Sequence, residues 1–119
     1  MKVDYVQKII ECCQKIEMIL LQHKSDKEYN RYFDKMRKYA KNIIDENRTA
    51  ELLPYLNSEN IFIRYSIASF FYNCYPDQCK KVLKEISAMT VQTGLPEHLI
   101  IISLTAHDNL KYGIPKDFP

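Results

Sequence analysis

His98, His107 and Asp108 form the one histidine–carboxylate grouping in this 119-residue chain. An imidazole beside a carboxylate is a common general base and a common metal ligand. Nine residues along a helix, however, turn His98 and His107 about 180° apart, so the two rings cannot close on one ion or one proton path. His23 falls near the end of a helix, where it complements the negative pole. Cys12 and Cys13 are adjacent and Cys74 and Cys79 are five apart, and neither is a zinc spacing. A catalytic thiol needs a base and an electropositive pocket. Nothing nominates one, so Cys74 and Cys79 are expected to be buried thiols that pack as small apolar groups, and all four cysteines to be free rather than a disulfide framework. Glu11, Glu17, Asp45 and Glu46 scatter over helix surfaces without the logic of paired carboxylates. The only glycines, Gly94 and Gly113, leave no phosphate-cradling loop. No catalytic, cofactor-binding or metal-ligating residue is predicted, and the chain reads as non-enzymatic.

The side chains suited to recognition are of another kind. Nine tyrosines occur with no tryptophan. Tyr29, Tyr32 and Tyr39 are interleaved with Arg31, Arg37 and Lys38. Tyr65 and Tyr72, seven apart, are expected on one helix face away from an Ile63–Ile67 stripe. Tyrosine and arginine are enriched at protein interfaces because they bury much area while keeping a polar handle. The candidate partner-binding residues are therefore Tyr65 and Tyr72 as anchors, Glu59 and Arg64 at the rim, and Tyr32 and Tyr39 on the second helix.

Six helices have to position these residues. A first helix spans Val3 to about His23, with Val6, Ile9, Ile10, Cys13, Ile16 and Leu20 recurring at three and four residues. Ser25 and Glu28 have the spacing of a capping box for a second helix that runs to about Asn47. Its apolar face carries Tyr29, Phe33, Met36, Ala40, Ile43 and Ile44. A short third helix begins at Thr49 and ends near Leu56, bent by Pro54. Asn60 is placed to cap a fourth helix reaching Cys74. Pro76 suits the first turn of a fifth, with Cys79, Val82, Leu83, Ile86 and Met89 inward. Leu95-Pro96-Glu97 opens a sixth, apolar on nearly every face from Leu99 to Leu104 and so expected to be the most buried. Gly113 and Pro115 stop it, with the glycine in the left-handed position. No strand pattern, linker or low-complexity segment interrupts this order, which describes one domain over residues 1–119.

Charge and composition narrow the class. Residues 1–48 carry 11 basic and 8 acidic side chains, and residues 49–119 carry 6 and 7. A net charge of +2 lacks the clustered excess of a nucleic-acid binder. The alternative of a nucleic-acid-binding helical repeat rests on the basic second helix, with Arg31, Lys35, Arg37, Lys38 and Lys41. No apolar run outlasts the four residues Leu99–Ile102, far short of a membrane span. Residues 1–10 carry Asp4 and no apolar core of signal length, so no cleaved export signal and a cytoplasmic location are expected.

Leu52-Leu53-Pro54-Tyr55-Leu56, a polar turn, then Ile63-Arg64 and Ile67-Ala68 before Phe71 resembles a HEAT-type repeat. Ile63 and Arg64 fill its valine–arginine pair, and Ile67 and Ala68 stand at its two alanines. The resemblance implies an all-α, right-handed HEAT/armadillo-like antiparallel stack, with Arg64 bracing neighbouring repeats. With the run Tyr29 to Met36 added, the chain resembles a small bacterial all-helical family catalogued as a domain of unknown function, number two thousand and nineteen. That resemblance implies an immunity protein that neutralises a cognate toxin in a tight complex, with no cofactor. Immunity proteins that block basic nucleases are strongly acidic, which speeds association; this chain is not, so its toxin would be neutral, acidic, or gripped through shape.

Overall fold

The computed structural model describes residues 4–22 and 26–113, and among them the fold is all helical. Helix α1 spans Tyr5–Gln22. It starts where the Asp4 carboxylate accepts the Gln7 amide at 3.0 Å, satisfying one orphan donor of the first turn. Val6, Ile9, Ile10, Cys13, Ile16 and Ile19 face inward as the spacing requires. Helix α2, Asp26–Asp45, packs along α1. Three residues separate the two helices, so α2 has to fold straight back. Its end is set by Asn47, whose φ of 55° lets the Arg48 amide reach the Ile43 carbonyl at 2.9 Å. Ser25 of the expected capping box, and His23, lie outside the described residues.

The third expected helix is a nine-residue 3-10 helix, Thr49–Asn57. Runs of that kind rarely pass three or four residues. Pro54 explains this one, because its ring excludes the α-helical turn before it and it has no amide to donate. Helix α3, Ile61–Phe70, is capped by Asn60, whose Oδ1 accepts the Ile63 amide at 2.9 Å. It stops four residues short of the expected Cys74. The cause lies downstream: Pro76 forces Tyr75 out of the helical region, to φ −137° and ψ 66°. Phe71 to Tyr75 therefore close as turns on the Phe71 carbonyl. Tyr72 thus lies outside α3, and the expectation that Tyr65 and Tyr72 share one helix face does not hold.

Helix α4, Pro76–Ser87, places the proline in its first turn and buries Cys79, Val82, Leu83 and Ile86. Two single 3-10 turns, Val91–Thr93 and Glu97–Leu99, lead into helix α5, Ile100–Tyr112. Here the structure corrects the reading of the most apolar helix. Leu99, Ile102 and Ala106 are buried, but Ile100, Ile101 and Leu104 are 42%, 55% and 59% exposed. Helix α5 contacts α3 and α4 with one side only, and residues 100, 101 and 104 point the other way. At Gly113 φ is 93° but ψ is 164°, so the chain leaves extended rather than in the left-handed helical form; Pro115 lies outside the described residues.

The core is continuous from one end to the other. It links Ile9, Ile16 and Met36 in the α1–α2 pair to Ile67 and Phe71, then to Leu83, Ile86 and Leu99. Burying each such side chain contributes roughly 1.5–3 kcal/mol.

Candidate partner-binding site

Lys8 and Lys15 are seven residues apart on α1, and Tyr32 and Tyr39 seven apart on α2. Seven residues bring a helix back to within about 20° of the same direction. Packing α1 on α2 therefore lays two like-facing pairs along one groove. That groove is lined by Lys8, Glu11, Cys12, Lys15, Tyr32, Lys35 and Tyr39 and encloses about 140 Å³. A neighbouring depression continues it past Lys15 and Tyr32 to Met18, Ile19, Gln22 and Glu28. A site that buries a small ligand needs some 300–1,000 Å³, so this one suits a surface partner.

The tyrosines are held as platforms for cations. Lys8 Nζ stands 5.9 Å from the Tyr39 ring centre. Lys35 Nζ and the Arg31 guanidinium stand 5.3 and 5.5 Å from Tyr32. The ring faces are electron-rich and fix where the flexible ammonium groups rest. Tyr39 also leans on Tyr5, with ring centres 6.3 Å apart. Both groove tyrosines are half-buried and pack against the core, so their rings are pre-positioned. Cys12 lies beneath. Burial pushes its thiol up against the pull of Lys35 and Lys8, which keeps it protonated and a poor nucleophile at neutral pH.

The other thiols follow the same rule. Burial drives Cys13 and Cys79 to about 12, and raises Cys74. Of the two thiols expected to be buried, Cys79 is, whereas Cys74 is half-exposed; Cys12 and Cys13 are buried as well.

The remaining sequence candidates fall elsewhere. Tyr65 is half-buried against the core, with its ring centre 6.2 Å from that of Phe62. Burial raises its pKa to about 12. Glu59 is exposed in the turn before α3, and Tyr72 is half-buried beyond the other end of that helix, which is about 15 Å long. Arg64 is half-buried, its Nε without a hydrogen-bond partner. Among the described residues it makes no ion pair, so the brace expected of it is absent. In α2, Arg37 turns away to stand over Phe33 and 3.8 Å from Asp34, which divides the basic residues of that helix between two faces.

One polar cluster escaped the sequence reading. Glu17 Oε2 accepts from His98 Nε2 at 2.9 Å, and Glu17 Oε1 accepts from Asn60 Nδ2 at 3.2 Å. Because a carboxylate only accepts, Nε2 must carry the proton. The cluster clasps α1 to the cap of α3 and to the turn before α5, with Glu17 and His98 only 21% and 17% exposed. No local signal links positions 81 residues apart. Among the described residues no group of three or more metal-ligating side chains converges, and no helix is long and apolar enough to cross a membrane.

The chain matches no protein-family model, no curated protein and no solved structure. The run from Leu52 to Phe71 folds as a 3-10 helix followed by α3.

Proposed function

We propose that this protein is a non-enzymatic binding module that grips an acidic protein surface through the α1–α2 groove. The observation that carries the reading is the convergence of Lys8, Arg31 and Lys35 on two pre-set tyrosine rings, with Lys15 lining the same groove. Such a surface loses little side-chain entropy on binding, because the rings and the cations above them are already placed. Tyrosines backed by a core and ringed by charge are the usual anchors of tight interfaces. The layered helices supply rigidity, in the manner of a HEAT-like stack. Following the resemblance to the small bacterial family, the partner is a cognate toxin held in an inactive complex. Its contacting face would be acidic, which answers why the chain itself is not.

The test is comparative. Tagged wild-type protein and a Tyr32→Ala/Tyr39→Ala variant are used to capture partners from cells and from neighbouring strains' secretions. A protein held by the wild type and lost by the variant should then bind as a purified pair and slow growth unless the wild type is co-expressed. Retention by the variant would move the site away from the groove. Failure of co-expression to restore growth would remove the toxin reading.

The four cations also favour a second reading, contact with a nucleic-acid backbone. Glu11 and Glu28 line the same groove and oppose phosphate and carboxylate alike, so salt dependence on a nucleic acid decides between the readings. Binding to RNA or duplex DNA that falls steeply with salt would support this reading, with a slope of roughly one unit per phosphate contact; a flat response would end it.

A further inference from the structure

We infer that the α1–α2 groove receives one helix of its partner, a segment of about three turns with two carboxylates seven residues apart, a basic residue between them and a large apolar residue beyond. The inference rests on the reading of the groove as a protein-binding surface and specifies what lies in it. On α1, Lys8, Glu11, Lys15 and Met18 follow one another at three, four and three residues. On α2, Tyr32, Lys35 and Tyr39 do so at three and four. Each ladder lies within a single helix, and the two line one continuous channel. Two helices that share such a seam present it to a third.

Distance and charge select the occupant. Tyr39 with Lys8 above it, and Tyr32 with Lys35 and Arg31 above it, make two cationic stations. Seven residues of α2 set them about 10.5 Å apart. A helix carries side chains at i and i+7 the same distance apart and within about 20° of one direction, so two carboxylates meet both stations. An extended strand repeats each face at about 6.6 and 13 Å and meets only one. Exposed Glu11 stands between Lys8 and Lys15. It repels a third carboxylate there and pairs with a lysine or arginine at i+3 or i+4. The phosphates of a nucleic acid have no cation to offer it. Past Lys15 the wall turns apolar, with Met18 51% exposed beside buried Ile19. Methionine adapts to the apolar side chain that meets it, so a leucine-sized residue completes the fit.

The test titrates the isotope-labelled full chain with synthetic peptides of about sixteen residues, built on alanine and glutamine to favour helix. One carries Glu at positions 3 and 10, Lys at 6 and Leu at 13; a second has the reversed order, since the channel admits a helix in either direction. Two controls keep the composition but move the second Glu to position 8, about 140° away on a helix, or place a proline in the middle. One of the first two should shift the amides of Lys8 to Gln22 and of Glu28 to Tyr39 and gain helix on binding. Both controls should bind roughly fivefold or more weaker. Glu11→Lys, at an exposed position, should weaken the peptide with Lys at 6 by roughly two- to fivefold and strengthen its Glu counterpart by as much. Equal binding by the proline peptide, no reversal in Glu11→Lys, or shifts produced only by phosphatidylglycerol vesicles would overturn the inference. If Tyr32→Ala/Tyr39→Ala releases a captured protein and no helical peptide is preferred, this inference falls and the binding reading stands. If neither a protein nor any peptide engages the groove, both fall.

Discussion

The α1–α2 pair and the α4–α5 pair bury the same kind of interior and finish their outer faces in opposite ways. Along the α1–α2 groove the tyrosines and the lysine stems cover what the aliphatic residues leave open and the surface ends in charge, while Met18 and Leu21 at the far end of α1 stay 51% and 55% exposed. On α5 the aliphatic residues themselves reach the surface. The first arrangement is stable in water and ready for a charged partner. The second leaves apolar area uncovered until another surface arrives. Between them stands the Glu17–His98–Asn60 clasp, the one polar link among described residues that spans α1, the cap of α3 and the turn into α5. A single interior thus carries two surfaces of different chemistry.

The sharpest way to break this contrast is to truncate separately the buried leucine that leads into α5 and the exposed one in its second turn. Leu99, 2% exposed, faces the core, and Leu104 faces out. Leu99→Ala should lower the unfolding free energy by about 2–5 kcal/mol. Leu104→Ala, measured where the chain is monomeric, should change it by less than about 0.5 kcal/mol. Urea denaturation of both variants checks this, and equal losses would mean that Leu104 is covered in solution. Removing the clasp comes next in size. Glu17→Ala leaves His98 and Asn60 without their acceptor and should cost about 1–3 kcal/mol. A double-mutant cycle with His98→Ala should return a coupling above about 0.5 kcal/mol, whereas additivity would reduce the clasp to a surface contact.

Much of this architecture was legible in the chain. Spacing of three and four placed all five α-helices, because an amphipathic stripe must face the core. Asn60 and Pro76 marked their helix starts by local chemistry that needs no tertiary partner. Pro54 foretold an irregular helix without specifying a 3-10 one. What stayed hidden depends on packing order. That α5 would lie with one side open cannot be read from α5, since an all-round apolar segment suits a central helix equally well. Tyr72 was assigned to a helix because its periodicity fits, although Pro76, four residues on, already argued for an earlier end. The groove was half visible: Tyr32 and Tyr39 were named, but Lys8 and Lys15 come from another helix and signalled only through their matching seven-residue spacing. Glu17 looked like one surface charge among several until its partners, 43 and 81 residues away, folded against it.

The smallest effect tests whether the two ends really share one kind of interior. Cys13, in α1, contacts the Met36 sulfur at 3.4 Å; Cys79, in α4, is fully buried. Burial lifts both thiols from an ordinary 9.0 to about 12. The folded state therefore keeps the proton over a range where the unfolded chain gives it up. Stability from each thiol is complete below pH 9 and declines as pH rises towards 12, on the order of 1 kcal/mol per thiol per pH unit. Tyr65, lifted from 10.0 to about 12, adds to the loss from pH 10 upwards. Cys13→Ala and Cys79→Ala should each flatten the alkaline limb of the unfolding free energy by a similar amount, whatever they do at neutral pH. Neither thiol should react with iodoacetamide at pH 8 faster than the chain opens. If only one variant flattens the limb, the interior is dry at one end and wet at the other, and the contrast between the two helix pairs then extends below their surfaces.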